Sequence, residues 1–246
     1  MRLTLSFDNG PFPDVTPGVL DVLASFAVPA TFFVCGKDAV DPERRAIVAR
    51  ARAAGHRVGN HTLTHTVELG TKDDAAVARR EIGDAQVALG ELASPERLFR
   101  PYGGGGVLGP RLLSPSAVRY LCDGGYTCAL WNSVPRDWED PSGWPERALA
   151  DVLTQDWTVL VLHDVPTGAM AALPRFLESA LASGAAIETD LPPDLMPIRE
   201  GRIVGSLDGL VGPPRAGAPE GAAPEGHETR SSENQRRAKR RQGDKR

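Results

Sequence analysis

Alternation of short apolar runs with helix-like segments constrains the fold of this 246-residue chain more than any other feature. The alternation repeats about seven times and predicts a mostly parallel sheet covered by helices. An open doubly wound sheet and a barrel both satisfy this pattern, and periodicity alone does not distinguish them. The runs with strand character are LTLSF, ATFFVCG, HRVGN, LFRPY, TCALWN, TVLVLH and AAIE.

The segments between these runs have the apolar spacing of helices. Several of them end in glycine, which is typical of a helix C-terminus. The clearest helical segments are PERRAIVARARAAG, DDAAVARREIGDAQVALGE and GAMAALPRFLESALASG.

Charge divides the chain into two parts. Nine basic and five acidic residues follow from Pro213 onward, so residues 1–212 carry a net charge of −8 although the whole chain carries −4. The tail is rich in Pro, Gly, Ala and Glu, a composition that predicts disorder. We therefore expect a single folded domain at 1–212 and a disordered tail at 213–246. The tail ends in a basic run that can contact nucleic acid or an acidic partner, whereas the acidic domain argues against nucleic acid as the main substrate.

The sequence shows neither a membrane-spanning segment nor a secretory signal. No stretch approaches the ~20 apolar residues of a membrane span, and the N-terminus lacks the apolar segment and cleavage site of a secretory signal. A cytoplasmic protein is therefore expected. The three cysteines, Cys35, Cys122 and Cys128, form no metal-like spacing and are predicted to be reduced thiols.

Polar side chains follow the ends of five predicted strands. Because sites in parallel α/β folds form at the carboxyl ends of strands, these five clusters can converge on one pocket. The clusters are Asp8 with Asn9, His61 with His65, Arg100 with Tyr102, Asp137 with Trp138, and His163 with Asp164.

The segment NHTLTH is the strongest indication of a metal. His61 and His65 are four residues apart, so on a helical turn both imidazoles can reach one ion. Two histidines leave a site incomplete, and the Asp8–Asn9 pair of LSFDNG can supply a third ligand. The alternative for that pair is an ordinary turn, because Asx and Gly residues suit turns.

Three further clusters have both a structural and a functional interpretation. His163 ends an apolar run, and it is either a buried core histidine or a group that enters a pocket and titrates near neutral pH. The FRPYGGGG segment is either a flexible loop or a place where backbone approaches a ligand closely. Trp138 can belong to the core or stack on a sugar, and Asp137 can accept the second ring proton of a histidine.

In this order, the five segments resemble the polysaccharide deacetylase family, the NodB-homology domain of carbohydrate esterase family 4, over roughly residues 1 to 200. The resemblance implies a distorted (β/α)₇ barrel and a hydrolase that removes an acyl group, usually acetyl, from the amine of an N-acylated sugar. A small-molecule or glycan substrate and a divalent metal, most often zinc, are implied with it.

The resemblance also implies roles for individual residues. Asp8 is the catalytic base and His163 the general acid. Arg100 orients the base, and the RPY segment, one residue shorter than the usual motif, gives the Tyr102 N–H to the oxyanion. Asp137 supports the histidine, Trp138 contacts substrate, and Val161 or Leu162 lines the acyl pocket. The metal ligands are His61, His65 and the residue at position 9.

Position 9 departs from the family pattern, which has a second aspartate where this chain has Asn9. A neutral ligand weakens a cation site relative to a carboxylate. Three outcomes therefore stay open: a metal-dependent deacylase with a weakened site, a metal-independent amide hydrolase of the allantoinase type, and a carbohydrate-binding protein without turnover.

Overall fold

The computed structural model describes residues 1–213 and contains one curled, mostly parallel sheet. All seven predicted runs contribute strands: β1 (Arg2–Asp8), β2 (Thr31–Val34), β3 (Arg57–Asn60), β4 (Leu98–Phe99), β5 (Thr127–Cys128), β6 (Trp157–His163) and β7 (Ala186–Glu188). Two short strands, β8 (Ile198–Arg199) and β9 (Arg202–Ile203), were not predicted. The predicted disordered tail, 213–246, lies outside the described residues apart from Pro213.

Strand pairing closes the sheet into a distorted barrel. The order is β6-β1-β2-β3-β4-β5-β8-β9, and only the two pairings that involve β8 are antiparallel. β1 pairs with β6 along its whole length, with β7 at its start and with β2 at its end. An isolated bridge between Ser133 and Leu160 connects the segment after β5 back to β6. The implied (β/α)₇ barrel is therefore confirmed.

Side-chain alternation along β1 and β6 separates a helix-facing side from a barrel interior. Leu3, Leu5 and Phe7 are fully buried in the cluster that packs against the helices. The intervening residues of β1, including Ser6 and Asp8, face the interior. The register pairs Asp8 with His163, so the ends of β1 and β6 lie side by side. This pairing places the first and last predicted clusters next to each other.

Eight α-helices are present in residues 1–213. They are α1 (Thr16–Ser25), α2 (Gly36–Ala39), α3 (Pro42–Ala53), α4 (Ala75–Ala78), α5 (Ala85–Leu89), α6 (Pro115–Asp123), α7 (Trp144–Thr154) and α8 (Leu173–Ala182). Local sequence explains where several begin. The Asp41 side chain accepts a hydrogen bond from the Arg44 N–H at 3.0 Å, and Pro42 occupies the first turn of α3.

The predicted helix DDAAVARREIGDAQVALGE differs from expectation in its middle. A π-helical turn, Arg79–Asp84, separates α4 from α5. Turns of this kind are rare and occur often near functional sites. The α5 segment then ends at Gly90, whose φ of +55° suits a residue without a side chain.

Packing of the helices onto the sheet supplies the main core. Trp144 of α7 and Phe176 of α8 are fully buried with ring centroids 5.2 Å apart. Burying a large apolar side chain contributes roughly 1.5–3 kcal/mol relative to exposure, so this layer holds the barrel in shape. Within residues 1–213, no helix has both the length and the apolar character needed to cross a membrane.

Candidate active site

A cavity of about 260 Å³ opens at the carboxyl ends of the strands. Every one of the five polar clusters contributes to its wall or to the layer behind it. Asp8, Asn9, His61, His65, Tyr102, Trp138 and His163 line the cavity. Arg100 and Asp137 are fully buried and contact lining residues from behind. The site is therefore built from strand ends that are far apart in sequence.

Asp8 is held by a buried arginine at the floor of the cavity. Arg100 Nη1 donates to Asp8 Oδ1 at 2.8 Å and to Ser6 Oγ at 2.7 Å. Burial favours the protonated acid, but the charge and hydrogen bond of Arg100 oppose it, and the pKa of Asp8 stays below its usual value. Asp8 is therefore a carboxylate with one oxygen occupied and the other available.

The segment with the two histidines is a loop, so the expected helical turn is wrong. Its backbone has no helical stretch between positions 61 and 65, and Thr62 and His65 have φ values of +64° and +57°. Hydrogen bonds from Gly36 N–H to the Thr62 carbonyl and from Lys37 N–H to the Leu63 carbonyl hold it against α2. The two rings still meet, with centroids 4.8 Å apart.

His61 presents a free lone pair to the cavity. Its Nδ1 lies 2.9 Å from the Arg100 carbonyl oxygen, which can only accept, so Nδ1 carries the proton. Nε2 then faces Asp8 Oδ2 at 3.6 Å. Burial lowers the pKa of His61 despite the attraction of Asp8, and burial with repulsion from His61 lowers the pKa of His65 to about 3. Both imidazoles are neutral, as metal ligands must be.

Asn9 lines the same cavity as the two histidines and brings an amide oxygen to it. Its backbone has a φ of +76°, and its Oδ1 is buried with no hydrogen-bond partner among the described residues. A buried amide oxygen without a partner is costly, and a cation would satisfy it. Residues 1–213 contain no cluster of three or more His, Cys, Asp and Glu side chains suited to a metal. An amide oxygen such as that of Asn9 is not among the atoms of that pattern.

His163 lies beside Asp8 at the end of β6 and is fixed by Asp137. Its Nδ1 donates to Asp137 Oδ1 at 2.8 Å, while its backbone N–H donates to Oδ2 at 2.9 Å. Burial alone would lower the pKa of His163, but the hydrogen bond and charge of Asp137 outweigh burial and raise it. The Trp138 ring meets the imidazole edge-on at 4.7 Å. Nε2 is thus the nitrogen left for a ligand.

Tyr102 and the glycines after it form one rim of the cavity. The Tyr102 ring lies 4.1 Å from the His65 ring, centroid to centroid. The Gly106 carbonyl accepts a hydrogen bond from Trp131 Nε1 at 2.8 Å, and a Cβ on Gly106 would approach Val134 to 2.7 Å. The glycine segment is therefore packed against the wall at this point.

Leu162 does not line the cavity, and its placement in the acyl pocket is wrong. Leu162 is fully buried in the cluster between sheet and helices, whereas Val161 lines the cavity. The strand period of two explains the difference, because His163 points inward and residues two apart share a face. The same rule applied to the sequence would have selected Val161.

Two lining residues at the mouth, Arg136 and Glu139, were not singled out from sequence. Arg136 has a φ of +55° and donates through Nε to Glu139 Oε2 at 2.7 Å. They flank Trp138 in the segment RDWED. A pair of opposite charges three residues apart, next to an aromatic residue, is the sequence pattern that could have identified them. The pair gives the rim a local balance of charge.

Asp164 lies beneath the loop that follows β1 and also went unassigned. The residue is fully buried, Thr16 Oγ1 donates to its Oδ2 at 2.6 Å, and its Oδ1 has no partner among the described residues. A side chain at Gly10 would collide with this carboxyl group, so glycine is required there. Burial raises the pKa of Asp164 to about 6, against the opposing effect of the Thr16 hydroxyl.

Asp164 should make stability fall as pH rises. The folded state holds the proton more tightly than the unfolded chain, whose pKa is near the ordinary 3.8. The favourable contribution is complete below about pH 3.8 and is lost as pH rises through about 6. The free energies of unfolding of wild type and Asp164→Asn, measured with denaturant, should therefore differ by an amount that changes by about 3 kcal/mol between acid and neutral pH.

Thr16→Val provides the matched control for this measurement. Removing the hydroxyl that stabilises the carboxylate should raise the pKa of Asp164 further, so stability should decline at a higher pH than in wild type. Parallel stability curves for wild type and Asp164→Asn would contradict the assignment.

Comparison with known proteins agrees with the fold and the cavity. The sequence profile of the family described as polysaccharide deacetylase matches residues 2–108. A chitooligosaccharide deacetylase from Sinorhizobium fredii is 38% identical over 170 residues, which span 65% of this chain and 70% of the relative. A peptidoglycan-N-acetylglucosamine deacetylase from Bacillus cereus is 30% identical over 166 residues, 66% of this chain and 72% of that protein.

A solved structure shows the same architecture. The family 4 acetyl xylan esterase from Clostridium thermocellum, in complex with a cobalt ion, superposes with a TM-score of 0.62 at 27% identity. The match covers 76% of this chain and 87% of the esterase. Sequence and structure thus lead to one assignment: the chain belongs to the polysaccharide deacetylase family, hydrolases of carbon–nitrogen bonds other than peptide bonds.

Proposed function

We propose that this protein is a metal-dependent hydrolase that removes an acyl group, most often acetyl, from the amine of an N-acylated sugar or related amide. One observation carries the proposal. The cavity is faced by Asp8, whose carboxylate pairs with Arg100, and by His163, whose imidazole pairs with Asp137, and these partners push the two pKa values in opposite directions. Pairs of this kind mark base and acid assignments in enzymes.

The donor set of Asn9, His61 and His65 would hold a divalent metal, for which we propose zinc. A metal bound there supplies polarisation of the amide carbonyl and a lowered pKa for water. Support comes from the unpartnered Asn9 Oδ1, from the free Nε2 of His61 and from the cobalt-bound esterase. Loss of the usual carboxylate charge at position 9 predicts weaker binding.

Proton transfers fall to the two groups at the paired ends of β1 and β6. Asp8 accepts a proton from the attacking water through Oδ2, because Oδ1 is held by Arg100. His163 donates from Nε2 to the departing amine, since Asp137 occupies Nδ1. An amine is a poor leaving group, so protonation must accompany cleavage of the C–N bond. The Tyr102 backbone N–H is the proposed donor to the tetrahedral oxygen.

A glycan is the proposed substrate class. Two named relatives act on chitooligosaccharide and on peptidoglycan N-acetylglucosamine. Trp138 and Tyr102 offer aromatic faces at the rim, and Val161 lines the wall as an apolar surface for the acyl group. The small-molecule alternative and the cytoplasmic location stay predictions.

Metal content tests this proposal directly. Purified, tag-free protein should contain a near-stoichiometric divalent metal, and His61→Ala should lose it because Nε2 is removed. Asn9→Asp should bind zinc more tightly, since a carboxylate adds a negative charge to a neutral donor set. Elemental analysis and calorimetric titration give the readouts, with acetate release from N-acetylated sugars measured in parallel.

The negative outcomes are distinct. Unchanged metal content in His61→Ala would show that the ligand assignment is wrong. Acetate release at wild-type rates without metal would favour the metal-independent amidase. Sugar binding without turnover, even after Asn9→Asp and zinc addition, would favour a carbohydrate-binding protein.

A further inference from the structure

The π-helical turn between α4 and α5 carries a buried carboxylate that no step above uses. Glu81 lies in this turn and is fully buried. Its Oε2 accepts hydrogen bonds from the Thr64 backbone N–H and from the Thr64 hydroxyl, each at 3.0 Å. Its Oε1 accepts from Arg80 Nε at 3.1 Å. A buried carboxylate persists only with such partners.

Thr64 belongs to the loop between the two histidines. Side chains hold the loop at two further points: Asn60 Oδ1 accepts from Thr62 N–H at 3.0 Å, and Thr62 Oγ1 accepts from His65 N–H at 3.1 Å. Asn60 Nδ2 donates to the Ile82 carbonyl of the π-helical turn at 2.8 Å. The turn thus contacts the loop directly through the Glu81 carboxylate, and it contacts Asn60, the last residue of β3, through a carbonyl.

His65 needs this support because its backbone is strained. A histidine at φ +57° occupies the left-handed region, which is unfavourable for an L-residue. Such a conformation persists when neighbouring bonds over-determine it. Glu81 accepts both of its hydrogen bonds from the loop from Thr64, the residue immediately before His65.

We propose that Glu81 is a positioning residue that fixes the His65 imidazole in the cavity through Thr64. The inference rests on the metal site of the proposed function, where His65 is a ligand. His61 does not depend on this support, because the Arg100 carbonyl holds its Nδ1 and the ring is buried. Loss of Glu81 should therefore displace one histidine and leave the other in place.

The test compares Glu81→Leu with Glu81→Gln in the full chain. Leucine removes both acceptors, whereas the glutamine oxygen can still accept from the Thr64 N–H. We expect zinc binding, measured by calorimetry, to weaken about 10- to 100-fold in Glu81→Leu, the range typical of a lost partner behind a ligand. Glu81→Gln should retain most of the affinity. Thr64→Val, which removes only the hydroxyl, should lie between them.

Leu89→Ala is the control for a purely structural role. Leu89 ends α5 in the cluster between sheet and helices, so its truncation lowers the melting temperature through packing alone. Zinc affinity should stay at the wild-type value in Leu89→Ala. The proposal would be overturned if Leu89→Ala and Glu81→Leu lost the same zinc affinity at the same loss of melting temperature. Wild-type zinc affinity in Glu81→Leu would overturn it as well.

Side-chain NMR of the metal-free protein separates this inference from the proposed function. With signals assigned through His61→Ala and His65→Ala, Glu81→Leu should shift the His65 ring resonances and leave those of His61 unchanged. If wild type binds no zinc, the metal site fails, yet the shift still supports the positioning role. Unshifted His65 resonances in Glu81→Leu would overturn it whether or not zinc binds.

Discussion

Replacing Asp8 with asparagine should lower turnover of an N-acetylated sugar by about 10²- to 10⁴-fold, the contribution of a positioned proton-transfer group. Asparagine keeps the shape and one acceptor for Arg100 but cannot take a proton from water. Arg100 helps to hold the pKa of Asp8 low, so under the proposed function Asp8 would be unprotonated and able to accept a proton at the start of each cycle. Steady-state acetate release measures the effect.

Ser6→Ala is the matched control for this change. Ser6 Oγ accepts from the same Arg100 Nη1 that holds Asp8, at 2.7 Å. Its removal perturbs the arginine but leaves the carboxylate, so turnover should fall by only a small factor. Wild-type turnover in Asp8→Asn would remove Asp8 from the role of base.

Stability must be followed in the same experiment. Arg100 is fully buried, and Asp8 is the anion that contacts it. Breaking a buried ion pair by neutralising one partner typically costs about 3–5 kcal/mol. Thermal unfolding of each variant therefore sets the temperature at which turnover is compared, so that loss of folded protein is not read as loss of the base.

Asp137→Asn should move the alkaline limb of the pH profile of kcat/KM to lower pH. Burial lowers the pKa of His163 and the Asp137 carboxylate more than offsets it, so removing that charge lowers the pKa. A general acid works only while protonated, and activity is therefore lost earlier as pH rises. At the alkaline end, the loss should approach that of deleting the acid, about 10²- to 10⁴-fold.

Trp138→Phe separates charge from contact in this prediction. Phenylalanine can keep an aromatic ring against the imidazole, now 4.7 Å from the Trp138 ring, without altering charge. Its alkaline limb should coincide with that of wild type. An unmoved limb in Asp137→Asn would show that another group supplies the proton.

Strand–helix alternation was sufficient to predict the layered fold and the seven parallel strands. Strands such as β1 and β6 are long apolar runs buried in the sheet, so composition alone marks them. The two-residue strands β8 and β9 pair antiparallel near the end of the domain. Segments so short carry no periodicity, and only tertiary contacts define them.

The candidate site was predictable in its members but less so in its geometry. His61 and His65 meet, although the loop between them is not helical, because side-chain and backbone hydrogen bonds from distant elements impose its shape. Glu81 is the clearest omission. It lies sixteen positions after His65 in the sequence, and nothing in an amphipathic helix pattern marks a carboxylate that turns inward at a π-helical turn.

The position of β1 in the sheet has a consequence for how new substrates can be accommodated. This strand pairs with three others, so the base at its end is anchored in the part of the fold that should open last in hydrogen exchange. The rim is built differently, from residues such as Gly105 and Arg136 that belong to no strand. Amino-acid substitutions in the rim therefore leave the hydrogen bonds between the strands intact. Substrate preference can diversify in this way while the geometry at the strand ends stays constant.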